Sequence, residues 1–345
     1  MTNTALAGTR KSPGDKATPP TRRRTVPTVR HLARRFTELV IVMLLASFLT
    51  FSFASLLPGD PTIAILGPER PPEDYAALRQ EMGLDDPFLL RYFHWLWDAL
   101  HGDLGRTPIP PGGEVMERIL TALPVSAEIA FLAVLMAIVI AIPLALACAS
   151  RPGGRLDRMI TASVFGVISV PSFLLGLVII LLLVNQTGLF PRNGWQRLGD
   201  AGLAQNLYFA FLPALTLALN EAAIYSRLLR NDLVATLRED FILAAKAKGM
   251  PKSRVLLREA LRPSSLGMVT IAGVSLGRLL GGTVIVETLF GLPGLGSLIV
   301  KAASDGDVIL MQGAVLVIAF GYVVVNALVD ISYTWLDPRI RRERA

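Results

Sequence analysis

Charge is the first thing this chain is short of. Only 18% of its 345 residues are Asp, Glu, Lys or Arg, against about 25% in a soluble domain. The deficit sits in six apolar blocks, 36–57, 125–149, 159–186, 208–227, 265–289 and 308–332. Cysteine is nearly missing. Cys148 is the only one, so no disulfide can close within the chain. His31, His94 and His101 are scattered, with no Cys/His spacing that would hold zinc or another metal. No Gly-Lys dipeptide occurs anywhere, which excludes a phosphate-cradling P-loop. No nucleophile motif is present either. The chain therefore reads as no enzyme, with no cofactor of its own.

What is there is apolar length. A membrane crossing needs roughly 20 largely apolar residues, and each block has them. Backbone groups in lipid must be satisfied within the segment, so the blocks are helices. The alternating pattern of a membrane barrel is absent. The predicted class is all-α integral membrane with six transmembrane helices. The net charge of +7 is explained by topology rather than by nucleic acid. With the N-terminus inside, 25 of the 34 basic residues lie on the cytoplasmic side and eight on the other. Such a bias puts both termini in the cytoplasm.

Residues 1–35 are basic and rich in Pro and Thr, and are expected to be a disordered tail. The first span, 36–57, exceeds the ~7–15 apolar residues of a signal peptide, so it reads as a retained helix. An outer segment follows at 58–118. The wider stretch 58–124 carries eleven acidic residues against five Arg. Within it Phe93, Leu96, Trp97 and Leu100 share a helical face, for packing on the membrane interface or docking an external partner. A core domain, 119–332, holds the other five spans, and 333–345 is a cytoplasmic C-terminus. Pro171 predicts a kink in the third span.

The loop 229–264 between the fourth and fifth spans is too patterned for a connector. Phe241, Ala244, Ala245 and Lys248 fall at i, i+3, i+4 and i+7, on one face of a short helix. Its alanines leave that face nearly flat for another protein's groove. Gly249 fits a left-handed helix end, and Pro251 the first turn of a second helix. That second helix is expected to stop near Arg262, before Pro263. The motif reads either as a rigid element passing force from a soluble motor or as a basic loop lying on headgroups.

Ala244-Ala245 followed by Gly249 resembles the EAA loop in permeases of binding-protein-dependent ABC importers. Other motifs are similar to the dipeptide/oligopeptide/nickel branch of that family. They include Leu56-Leu57-Pro58-Gly59-Asp60-Pro61, Gly83-Leu84-Asp85-Asp86-Pro87, Gly102-Asp103-Leu104-Gly105 and Leu123-Pro124 with Ser126 and Glu128. Val170-Pro171-Ser172-Phe173, Glu287 with Pro293-Gly294-Leu295-Gly296, and Leu336-Asp337-Pro338-Arg339 continue the series in order. The family's loop glutamate falls here at Leu243, and its closing proline arrives one residue late at Pro263.

The resemblance implies a type I ABC importer permease fold in a bacterial cytoplasmic membrane. Residues around 241–251 would seat in an ATPase cleft. Two separate ABC ATPase subunits would bind ATP and magnesium, a second homologous permease would complete the pore, and an extracytoplasmic binding protein would deliver cargo. Di- or oligopeptides are the implied cargo. Nickel, glutathione or another small solute is the alternative, and an ion-gradient-driven transporter the more distant one.

Charged groups inside a span cost at least ~2.5–3.5 kcal/mol, which marks them as functional. Arg278 and Glu287 stand on the fifth block and Glu221 on the fourth. Arg278 and Glu287 point to opposite sides of one straight helix. Arg278 either faces the pathway or pairs with Glu221 or another carboxylate. Gly273, Gly277 and Gly281 form a stripe that permits close helix packing.

Overall fold

The computed structural model describes residues 29–56, 61–107, 109 and 112–336. The tail up to residue 28, Leu57 to Asp60 of the first family motif, and the C-terminus from residue 337 lie outside them. The chain divides into two compact units between Ile41 and Val42. The described part of the first, 29–41, is the opening of helix α1 (Val29–Leu56). All that follows concerns the second.

After α1 come α2 (Pro61–Leu66), α3 (Pro72–Glu81) and α4 (Phe88–Leu100). A small antiparallel pair, β1 (Arg106–Thr107) and β2 (Gly113–Glu114), sets Arg106 opposite Glu114. Then follow α5 (Val115–Ser150), α6 (Arg155–Ser169) and α7 (Ser172–Ile179), which runs on as a π-helix over Ile180–Gln186. After α8 (Leu198–Ala201), α9 (Leu203–Thr236), α10 (Asp240–Ala247) and α11 (Lys252–Arg254), a second π-helical stretch covers Val255–Ala260. The chain continues through α12 (Leu261–Gly282), α13 (Val284–Phe290), α14 (Leu295–Asp305) and α15 (Val308–Leu336).

Among the described residues, five helical stretches are long and apolar enough to cross a membrane: Thr37–Leu56, Val115–Ser150, Leu203–Thr236, Lys252–Gly282 and Val308–Val329. Two further pairs qualify only together and are bent, α6 with α7 by 104° and α13 with α14 by 84°.

Prolines do not map simply onto the departures from the hydropathy blocks. Pro171 does more than kink the third block. Val170 before it is extended (φ −96°, ψ 125°), as a residue preceding proline tends to be, and α7 restarts behind Pro171. Pro263 does the opposite of what was expected. The helix runs through it without stopping, as the third residue of α12. The π-helical stretch just before it wraps more residues per turn, so the donor that Pro263 lacks falls where the regular ladder is already interrupted. Thr283, not a proline, separates α12 from α13 and ends the fifth span at Gly282, seven residues before the end of the apolar block. Pro124 and Pro143 are both absorbed within α5, which begins ten residues ahead of the apolar block.

Small residues hold the core. On α5, Ala133, Ala137, Ala141, Ala145 and Ala149 recur every fourth residue and are buried. Ala210, Ala214, Ala218 and Ala222 do the same on α9. The two stripes let the backbones of α5 and α9 approach closely. Phe88, Tyr92 and Trp95 of α4 pack on Phe48 and Phe51 of α1, and Ser47 and Tyr92 hydrogen-bond at 2.9 Å. Phe93, Trp97 and Leu100 of the predicted face stay exposed, with Leu96 half-buried. At the start of α15, Asp307 caps the helix by accepting from the Leu310 N–H at 3.0 Å, and the Thr107 hydroxyl donates to its other oxygen.

Candidate functional site

The α10 segment is built as a helix, turn and second helix. Gly249 adopts φ +75°, which costs an L side chain ~1–2 kcal/mol and glycine nothing. The Gly249 N–H donates to Lys246 O at 3.0 Å and the Met250 N–H to Ala245 O at 3.3 Å. This pair of bonds is the Schellman ending of a helix. Pro251 (φ −65°, ψ 147°) then stands as the N-cap of α11, one position ahead of the first turn.

Burial divides the predicted docking face. Phe241, Ala244, Lys248, Gly249 and Pro251 are exposed, but Ala245 is buried beside Ile242. Ala245 therefore belongs to the face that holds α10 down, not to the face it offers. Ile242 shares one apolar cluster with Leu229 and Leu233 of α9 and Val255 and Ala260 of the π-helical stretch. Leu243, where the family's glutamate falls, is half exposed at the surface. Beside Phe241 an open recess of about 400 Å³ is lined by Arg258, Glu259, Arg262 and Pro263.

Above this platform the C-terminal end of α9 is fixed by an ion pair that composition did not single out. Arg230 Nε and Nη2 donate to the two oxygens of Asp157 at 2.7 and 2.6 Å, and the Gly153 N–H adds a third bond at 2.8 Å. Asp157 is buried. The bidentate geometry joins α6 to α9, and its only trace in the sequence is an acidic residue in the first turn of a helix.

Deeper along α9 and α12, Arg278 Nη2 donates to Glu221 Oε1 at 2.7 Å and Oε2 at 3.0 Å. The Ser275 hydroxyl donates to Glu221 Oε2 at 2.8 Å. Glu287 stands apart from Arg278. It is fully buried and accepts from Ser126 Oγ and Thr283 Oγ1, each at 2.6 Å, and from the Ser297 N–H at 3.0 Å. Gly273, Gly277 and Gly281 face α15, against Val329, Asn326 with Tyr322, and Ile318. The stripe packs two helices of this chain together.

Residues 141–342 match the family described as binding-protein-dependent transport system inner membrane component. Residues 28–110 match the N-terminal region described for membrane components of the same systems. The oligopeptide transport system permease protein AppB of Bacillus subtilis is 32% identical over 311 residues, covering 90% of this chain and 98% of that protein. The dipeptide transport system permease protein DppB of Escherichia coli is 31% identical over 342 residues, covering 91% and 99%. A solved structure of the MetNI methionine ABC transporter in inward facing conformations is similar in fold. Its TM-score is 0.53 at 18% identity, over 64% of this chain and 97% of that one.

Proposed function

This chain belongs to the family of binding-protein-dependent transport system inner membrane components, and on that premise we propose that it forms half of the pathway of an ATP-driven importer of di- and oligopeptides. The peptide cargo is supported by relatives named for peptide transport. ATP and magnesium belong to two separate ATPase subunits, so this chain contributes a pore rather than hydrolysis. A second permease completes the pathway, and an extracytoplasmic binding protein hands over the peptide.

The count of six crossings follows if α6 and α7 make one bent span and α13 with α14 is a re-entrant element. An even count leaves both termini and α10 on the cytoplasmic face of a bacterial inner membrane. This reading assigns the basic tail (1–35) and the C-terminus (333–345) to the cytoplasmic side.

One observation carries the reading: α10 offers Phe241, Ala244 and Lys248 outward while Ala245 is buried and Ile242 joins the apolar cluster at the feet of α9 and α12. An ATPase cleft that grips the outer face cannot shift α10 without shifting both long helices. Closure of the ATPase pair therefore becomes tilt in the membrane.

The test uses Ala244→Cys. Cys148, the one native thiol, is buried, so background is low. A bifunctional thiol reagent should join Cys-substituted position 244 to single cysteines in the ATPase cleft, with a yield that changes with ATP. Labelling of the same position by an impermeant reagent from outside intact cells would overturn the topology and the coupling together.

A further inference from the structure

We propose that Arg278 is a carboxylate-binding residue of the translocation pathway, receiving the C-terminal carboxylate of a transported peptide. The idea deepens the peptide-importer reading and rests on it.

Arg278 is unevenly used. Its side chain is 57% exposed, whereas its partner Glu221 is 5% exposed. All its hydrogen bonds run through Nη2, to both Glu221 oxygens and to Ser275 Oγ at 3.3 Å. Among the described residues no bond is made by Nε or Nη1. An arginine held by one nitrogen presents its other donors in a fixed direction, and the planar guanidinium suits a carboxylate better than an ammonium would.

The surroundings say where those donors point. Ile271, Val274, Arg278, Gly282 and Ile285 are exposed along one face of α12 and α13. Arg278 is the one charge on it. It lies four residues before the end of the Lys252–Gly282 span, about 22 Å along the helix from Pro263. Charged side chains within a span face the bundle interior or a water-filled cavity rather than hydrocarbon. This face therefore meets water or another subunit, as a pathway between two permeases requires. Gly282 keeps it open, since a side-chain carbon there would meet nothing within 4 Å.

Glu221 gives the site its resting state. It balances the charge of Arg278 when no cargo is present and anchors the guanidinium through Nη2 alone. An arriving carboxylate then adds to the free donors without displacing the anchor. The attraction acts on the peptide terminus, not on its side chains, so cargo of varied sequence passes the same point.

The test compares trialanine with trialanine amide in proteoliposomes holding the full complex, with each peptide at saturation of the binding protein. Arg278→Gln combined with Glu221→Gln removes both charges yet keeps a neutral hydrogen-bonded pair. Arg278→Lys keeps the charge but loses the planar donors. The unsubstituted complex should import the free acid about tenfold faster than the amide, the scale of one charge-assisted hydrogen bond. The double variant should assemble, hydrolyse ATP and lose that preference, and Arg278→Lys should fall between. An unchanged preference in an assembled double variant would overturn the proposal. Dissociation of the second permease in both variants would also overturn it, assigning Arg278 to a carboxylate across the subunit interface. If the unsubstituted complex imports neither peptide, the peptide reading itself fails.

Discussion

Ser126 Oγ donates to Glu287 Oε1 at 2.6 Å, across 161 residues of chain. The same Ser126 oxygen accepts from the Leu295 N–H at 2.8 Å, so one hydroxyl joins α5 to both arms of the α13–α14 turn. Glu287 in turn takes the Ser297 N–H at the start of α14. The 84° bend is therefore held by side chains from its inside corner rather than by a proline alone.

Glu287→Ala should be among the most damaging substitutions in this region. It removes the acceptor shared by Ser126, Thr283 and the Ser297 N–H, and each buried group left unsatisfied costs about 1–3 kcal/mol. Purified in detergent, the variant should lose several degrees of apparent melting temperature, with Glu287→Gln losing less. Equal melting curves for the two variants and the parent would refute this account of the bend.

Two glycines of the same turn make a graded pair. A side-chain carbon at Gly294 would run into the Glu287 carboxyl group, and one at Gly296 into the backbone of Val284. A side chain can swing away, whereas backbone cannot. Gly296→Ala should therefore reduce the yield of monodisperse protein more than Gly294→Ala. Gly166→Ala on α6, where nothing lies within 4 Å, should be close to neutral on the same column.

The Asp157–Arg230 pair should behave as a unit. Removing one partner of a buried pair costs about 3–5 kcal/mol, and the part-exposed Arg230 puts the lower end in view. Asp157→Ala should destabilise more than Asp157→Ala combined with Arg230→Met, because the double change strands no charge. A double-mutant cycle on thermal stability measures the coupling, and additive effects would contradict the geometry.

On α10 the inner and outer faces should separate cleanly. Ile242→Ala opens a cavity in the seat and costs about 2–5 kcal/mol locally. It should leave ATP hydrolysis running while uptake falls. Phe241→Ala touches only the exposed face and should weaken co-purification of the ATPase without changing the fold. Identical phenotypes for the two would show that α10 has no such division of labour.

How much of this was readable beforehand depends on how local the signal is. The α10 ending was legible because Gly249 and Pro251 act on their own neighbours. Which face of α10 points inward was not, since Ala244 and Ala245 are interchangeable to any rule based on size or polarity. Polarity singled out Glu221, Arg278 and Glu287 within the apolar blocks. Only the approach of α9 to α12 decided that Glu221 pairs with Arg278. Pro171 and Pro263 carry the same chemistry and opposite outcomes. A proline breaks a helix or passes unnoticed according to the turn before it, and that turn is set by packing. The alanine stripes of α5 and α9 were in plain view, and a search for small residues repeating every four positions finds them.

The π-helical stretch at Val255–Ala260 acts as a phase setting between the two ends of one long rod. Regular α winding over the same six residues would turn everything beyond them by about 100° relative to α10. Arg278 would then swing off Glu221 even though neither residue had been touched. The azimuth of Arg278 is thus stored some thirty ångströms away, in the pitch of six residues beside α10.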